Sequence, residues 1–254
     1  MEEFEIIYGM HSIAEALKNS KRTGLILFCT DDSYHELRKL HFGANAIPTD
    51  TDLEVVTLAP HALQEEAKRY IKELEYKDSR VPSNIFLKAD LNPFIEMTSF
   101  YEDVEQVGDL KILALDQVTD VHNLAAIIRT AAFYAIDYVV FSKKGQNHFP
   151  PSFYRIASGG VEHVKLVNCS SLSKFLHKLS EKGVTCVGLS EHATSETFPE
   201  QSKICFVMGS EDTGLSHASQ RVLSHFVSLE PFGKIRSLNV SVAAAVAIEK
   251  FWVK

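Results

Sequence analysis

From residue 110 onward, apolar runs of strand length alternate with helical patterns, and this alternation constrains the fold more than any other feature of the chain. Strand candidates are 110–115, 138–141, 164–167, 184–189, 204–208 and 226–229. Helical spacing covers 123–134, 171–182, 215–224 and 238–252, with Ser171 as an N-cap candidate and Gly183 closing the second helix. Strands that read as continuous apolar runs are covered on both faces. Alternating strands and helices then predict an α/β fold built on a parallel sheet. The last helix is unusual: polar Ser237, Asn239 and Ser241 precede a run of small apolar residues reaching Ile248. Alanine favours helix, Ser and Asn cap it, and an all-apolar helix is expected to be buried.

Residues 1–88 read as a separate small α/β unit. Ile13, Ala14 and Leu17 share a helical face, 24–28 and 54–58 are strand candidates, and 33–42 reads as a helix with Leu37 and Leu40 inward. A third helix starts after Pro60 and carries Leu63, Ala67, Tyr70, Ile71 and Leu74, and 84–87 is a further strand. Residues 89–109 hold a turn at Asn92-Pro93 and four acids between 102 and 109, and read as a linker whose Phe94, Ile95, Phe100 and Tyr101 pack on a surface. The net charge of −7 speaks against a nucleic-acid partner only weakly, because it is uneven. Residues 1–110 carry 11 Lys and Arg against 21 Asp and Glu, whereas 111–254 carry 15 against 12. The acidic N-terminus lacks the pattern of a signal peptide and no apolar run is long enough to span a membrane, so a cytoplasmic protein is expected. Cys29, Cys169, Cys186 and Cys205 form no C-x-x-C pair and read as buried thiols, without disulfide or metal.

Four segments carry candidate chemistry. In 115–131 a strand ends, a polar loop follows, and a helix begins near Asn123, with Arg129 six residues further along among Ile127, Ile128, Ala131 and Ala132. An arginine in such a stretch needs a partner. It either pairs with Glu211 or Asp116, or binds an anion beside a strand terminus, where α/β ligands sit. The second segment runs Met208-Gly209-Ser210-Glu211 into Gly214-Leu215, where Gly209 permits close backbone approach to a ligand. The third is 235–249 with 227–233 before it, and the fourth is the small-residue turn 157–163. Each taken alone also fits an ordinary turn or capped helix. Neither a dinucleotide G-x-G-x-x-G nor a P-loop occurs in the sequence.

Together and in this order, the segments resemble the SpoU (TrmH-like) branch of the SPOUT RNA methyltransferases. Its first motif is similar to Asn123-Leu124-Ala125-Ala126-Ile127-Ile128-Arg129-Thr130-Ala131, its second to Gly209-Ser210-Glu211 with Gly214-Leu215, and its third to Ser237-Leu238-Asn239-Val240-Ser241-Val242-Ala243. Residues 1–88, with Tyr8-Gly9-Met10-His11, resemble the L30e-like RNA-binding domain that often precedes this fold. The family usually has glycine at Ala125 and often glutamate at Arg236. Its N-terminal His-Gln-Gly signature is replaced here by Asp78-Ser79-Arg80-Val81-Pro82.

The resemblance implies a SPOUT α/β fold over 110–254 with a C-terminal deep trefoil knot, a linker over 89–109, and an L30e-like substrate-binding domain over 1–88. It implies a homodimer with the active site near its interface. S-adenosylmethionine would be held at Leu189, Met208, Gly209, Leu229 and Leu238 by backbone and apolar contacts, with no metal. The implied reaction is methyl transfer to a ribose 2′-hydroxyl of RNA, ribosomal ahead of transfer RNA, with guanosine as the candidate nucleoside. Asn123, Arg129, Glu211, Ser237 and Asn239 would form the catalytic set. Arginine is a poor base because it stays charged, so Arg129 would bind the adjacent phosphate or polarise the hydroxyl while the others hold Arg129, the ribose and the cofactor. Lys143, Lys144, Arg155, Lys234 and Arg236 are the RNA-facing basic candidates. Two further readings are a non-catalytic RNA-binding or assembly factor on the same scaffold, and an unrelated enzyme acting on small metabolites.

Overall fold

The computed structural model describes residues 3–43, 53–77, 80–92, 94–142, 149–191, 193, 198–235 and 237–252. In chain order these form β1 (Phe4–Tyr8), α1 (Met10–Lys18), β2 (Ile26–Cys29), α2 (Asp31–His41), β3 (Glu54–Thr57), α3 (Pro60–Glu73) and β4 (Ile85–Asp90). There follow α4 (Met97–Gln106), β5 (Leu110–Asp116), α5 (Val121–Phe133), β6 (Tyr138–Phe141), α6 (Pro151–Ala157), β7 (Lys165–Asn168) and α7 (Leu172–Glu181). The chain closes with β8 (Thr185–Leu189), β9 (Lys203–Gly209), α8 (His217–Gln220), β10 (His225–Val227) and α9 (Val240–Trp252). Two compact units result: Met1–Pro93 with Gln146–Glu162, and Phe94–Gly145 with His163–Lys254.

In the first unit the sheet order is β1-β4-β2-β3, with β4 antiparallel to both β1 and β2. Strand β1 is fully buried and was absent from the expected elements, because its second residue, Glu5, interrupts the apolar pattern. That charge is buried with partners. Arg22, 4% exposed, donates through Nε to Glu162 (3.0 and 3.2 Å) and also pairs with Glu5, while the Tyr154 hydroxyl donates to Glu5 at 2.6 Å. Asn19 adds a bond to Glu162 at 2.7 Å, and Ser12 donates to the Tyr154 carbonyl at 2.6 Å. These contacts fasten α6 and the turn after it to β1 and α1, which is why Gln146–Glu162 is grouped with the N-terminal residues. One arginine faces two carboxylates, and burial outweighs its pull on Glu5, raising that carboxyl above its ordinary value of 4.5. Leu37 is buried as expected, but Leu40 is 59% exposed: it lies on the outer face of α2.

In the second unit every strand pair is parallel, in the order β10-β8-β9-β5-β6-β7. The central strands are the most apolar, as two-sided burial requires. The stretch expected as a linker holds α4, and it packs more deeply than on a surface. Phe100 is fully buried, with its ring 4.9 Å from Tyr138 and 5.3 Å from Phe175. Helix α8 spans only four residues of the expected 215–224, and β10 is three residues long. Helix α9 is not buried all round. Val240, Ala244, Ala247, Ile248 and Phe251 face the core, whereas Val242 and Val246 are 48% and 43% exposed. All four cysteines are buried free thiols, and burial pushes Cys29 and Cys169 up to about 11.

Candidate active site

The sheet of the second unit brings the motif loops to one edge. Asp116, the last residue of β5, pairs in register with Gly209, the last of β9, and Leu189 of β8 pairs with Val227 of β10. Four loops therefore leave the carboxyl ends of neighbouring strands, the place where parallel α/β sheets bind ligands. Between those that follow β8, β9 and β10 lies a cleft of about 500 Å³, lined by residues 189–191, 208–215, Gln220 and parts of 229–243.

The floor of the cleft is a tight turn. Ser210 and Gly214 exchange both backbone hydrogen bonds, at 3.1 and 3.0 Å, and the Ser210 and Thr213 hydroxyls lie 2.8 Å apart. Gly209 is required by this turn. A Cβ there would fall 2.2 Å from the Gly214 carbonyl carbon and 2.4 Å from the Leu215 nitrogen. The close approach expected at Gly209 is thus made by its own chain. Buried Asp116 accepts from the Ser216 backbone N–H at 2.8 Å and so anchors the far side of the same loop.

One wall of the cleft is tied to two helix starts by Glu211. Its Oε1 accepts from Asn123 Nδ2 at 3.1 Å, from the Val240 backbone N–H at 3.0 Å, and from Asn239 Nδ2. Asn239 also donates to Asn123 Oδ1 at 3.0 Å, and its own Oδ1 accepts from the Ser241 N–H and hydroxyl at 3.0 and 2.6 Å. Asn239 is therefore the N-cap of α9, and Glu211 satisfies another orphan N–H of its first turn, where negative charge is favoured. Helices α5 and α9 run side by side in the same direction: Asn123 meets Asn239 near their starts, and Tyr134 lies near Glu249 at their ends.

The SpoU rRNA Methylase family matches residues 111–249. The chain belongs to this family. It is 39% identical over 259 aligned residues to the 23S rRNA (guanosine-2'-O-)-methyltransferase RlmB of Acinetobacter baylyi, covering 98% of this chain and 96% of that protein. It is 28% identical to the protein of the same name from Shewanella oneidensis, again over 98% and 96% of the two chains. Among solved structures, the SpoU methyltransferase AviRb from Streptomyces viridochromogenes superposes with a TM-score of 0.72 at 17% identity, covering 97% of this chain and 88% of that one. An RNA 2'-O ribose methyltransferase structure superposes at 0.68 with 19% identity, covering 98% and 88%. Both structures share the fold.

Within this SpoU-family chain, Leu189, Met208, Gly209, Leu229 and Leu238 all line the cleft, as do Glu211 and Ser237. Asn123 and Asn239 join Glu211 in one hydrogen-bonded cluster. Arg129 does not. It projects from α5 as an exposed residue outside the cleft lining, and it forms no ion pair among the described residues. The expected partners Glu211 and Asp116 are engaged with amides instead, and an exposed guanidinium carries no burial cost that would demand them. Arg155 and Lys234 are exposed; Lys143, Lys144 and Arg236 lie outside the described residues, as do Asp78 and Ser79.

The expected site did not include Glu191, Asp212, Glu230, Phe232 or Ile235, all of which line the cleft. Acid clustering near the loops was the only sequence signal for the first three. Among the described residues the lining carries four carboxylates and no Lys, Arg or His. Such a wall disfavours a phosphate-bearing nucleotide and suits a cationic ligand with apolar parts. No group of three described side chains is placed to hold a metal ion, and no described helix is long and apolar enough to cross a membrane.

Proposed function

We propose that this protein transfers a methyl group from S-adenosylmethionine to the 2′-hydroxyl of a guanosine ribose in ribosomal RNA, acting as a homodimer in the cytoplasm. The observation that carries this reading is the acidic, apolar cleft lined by the second and third motifs, to which Asn123 of the first is tied through Glu211. The name of the Acinetobacter relative supports ribosomal RNA and guanosine.

The cleft fits the methyl donor. Leu189, Met208, Leu229 and Leu238 offer apolar walls, the turn at Gly209 offers backbone, and the carboxylates face the donor's cationic groups. When bound, S-adenosylmethionine supplies an electrophilic methyl carbon on a sulfonium. The chain's own residues position the other reactant. Glu211 Oε1 is committed to three N–H donors, so this carboxylate holds the loops in place. Ser237, exposed on the cleft wall, is free to meet the ribose. Positioning of this kind supplies a large part of the rate of a two-substrate reaction.

The RNA phosphate needs a cation that the described lining lacks. Arg129 of a second copy supplies it in this reading. Arg129 lies on the exposed side of α5, beside a helix that exposes Val242 and Val246, and Phe133 four residues on is also exposed. Burying that apolar face in a dimer would carry Arg129 towards the other copy's cleft. The strand order β10-β8-β9-β5, with α9 returning to pack on β9 and α5, supports threading of the C-terminal segment as a trefoil knot. Residues 1–88 are read as an L30e-like RNA-binding domain, 89–109 as the connection, and 110–254 as the methyltransferase domain.

The test is to incubate the protein with S-adenosylmethionine and ribosomal RNA and to map ribose methylation at nucleotide resolution. One guanosine is expected to be methylated. Arg129→Ala should lower turnover at least about 100-fold with the donor's Kd unchanged. Donor binding without methylation of any RNA would favour the non-catalytic RNA-binding reading, and near-normal turnover by Arg129→Ala would remove that residue from the site.

A further inference from the structure

The cleft has an aromatic residue at its rim that the donor and the polar cluster leave unexplained. Phe232 is 102% exposed, yet it lines the same cleft as Ser237 and Glu211. It sits between Pro231, whose ring restricts the backbone, and Gly233. Among the described residues, no aromatic ring and no cation packs on it. A phenylalanine left in water forgoes the stabilisation of burial, so a ring held at a cleft rim is suited to a ligand that covers it. Lys234, two positions on, is exposed in the same loop and provides positive charge next to the acidic lining.

We propose that Phe232 is the platform on which the base of the target nucleotide stacks while its ribose enters the cleft, an assignment that rests on the RNA-methyltransferase reading above. A ribose 2′-hydroxyl reaches a pocket of this kind when its nucleotide leaves the neighbouring stack, and the lost stacking has to be replaced. An aromatic side chain replaces it by stacking on the face of the base. A phenyl ring has no hydrogen-bonding group, so Phe232 supports a base through its face alone. The larger overlap of a purine makes it a size selector rather than a reader of base edges.

The experiment compares Phe232→Ala, Phe232→Leu and Phe232→Trp with wild type on an rRNA fragment spanning the nucleotide that the wild type methylates. A second fragment is abasic at that nucleotide. Phe232→Ala and Phe232→Leu should each lower kcat/KM about tenfold or more, mostly through KM, and Phe232→Trp should retain it. On the abasic fragment the wild type should fall to the level of Phe232→Ala. Donor Kd by calorimetry, melting temperature and sedimentation should match wild type in all three variants. Wild-type activity in Phe232→Leu overturns the assignment, because leucine keeps the apolar bulk without the π face. Dissociation of a dimer by Phe232→Ala assigns the ring to contact between copies instead, and a weakened donor Kd assigns it to the donor; either overturns base stacking. A wild type that methylates no RNA ribose overturns the activity itself, which is distinct from an active wild type whose Phe232 variants are unaffected.

Discussion

Replacing Gly209 with alanine tests whether the turn below the cleft is the part that shapes it. The added Cβ would lie 2.2 Å from the Gly214 carbonyl carbon, 2.4 Å from the Leu215 nitrogen and 2.5 Å from the Gly214 oxygen. All three are backbone atoms, so no side chain can swing aside. Carbon contacts are ordinarily 3.5–4.0 Å, so the turn has to open by roughly 1 Å. That movement breaks or stretches the two Ser210–Gly214 hydrogen bonds, worth about 1 kcal/mol each. Residual crowding adds about 1 kcal/mol, for a total loss near 3 kcal/mol. The same residues line the cleft, and a displacement of about 1 Å at a positioned site costs about 100-fold in rate. Calorimetry with S-adenosylmethionine should therefore show binding weakened at least about tenfold, and turnover should fall further, alongside a lowered melting temperature. Gly214→Ala is the control. Its Cβ meets nothing within 4 Å, and only its φ of +64° resists substitution, at about 1–2 kcal/mol. A Gly209→Ala protein that binds the donor within twofold of wild type and melts at the same temperature would refute the reasoning.

Glu211→Ala removes an acceptor shared by three N–H groups. It should reduce kcat/KM about 100-fold, with a stability loss of only about 1–2 kcal/mol because the cluster is largely solvent-exposed. Glu211→Gln should retain part of that activity, whereas wild-type rates in Glu211→Ala would dismiss the cluster as decoration. In the first unit, Arg22→Met strands two buried carboxylates and should cost about 3–5 kcal/mol by chemical denaturation. Glu5 behaves in the opposite sense. Its carboxyl is raised above 4.5 by burial despite Arg22, so the folded state binds its proton more tightly than the unfolded chain does. Its contribution is full below the ordinary carboxylate value and is lost as pH rises through the raised one. Glu5→Gln should therefore gain stability relative to wild type between acidic and neutral pH, and a difference that shrinks with rising pH would contradict this. Finally, Val246→Asp places a charge on the exposed face of α9. Sedimentation should show wild-type dimers and variant monomers, and an unchanged dimer would move the interface elsewhere.

Much of the second unit was legible from the residues because a parallel sheet covered on both faces needs uninterrupted apolar strands. The run 138–141 matches β6 residue for residue, and 110–115 and 204–208 fall within β5 and β9. Where a strand departs from that rule the signal fails. Strand β1 carries Glu5 as its second residue, and what makes a buried carboxylate tolerable there is Arg22 and Tyr154, 17 and 149 residues away. Helix α6 was missed for a related reason: it is seven residues long, starts at a proline, and packs with the N-terminal unit. The small-residue helix was recognised but its surroundings were not, since apolar composition alone does not say which face a neighbour covers.

The order and type of the motif residues determined the family and the elements that carry them, because turn, cap and periodicity are local properties of a chain. The strand order and register decided the rest. They placed Leu189, Gly209 and Leu229 around one cleft, joined Asn123, Glu211 and Asn239 across separations of 28 to 116 residues, and left Arg129 outside it. The physical reason is distance: hydrogen bonds and clefts are made between loops that only the sheet brings together, and no spacing along the chain records which loops those are.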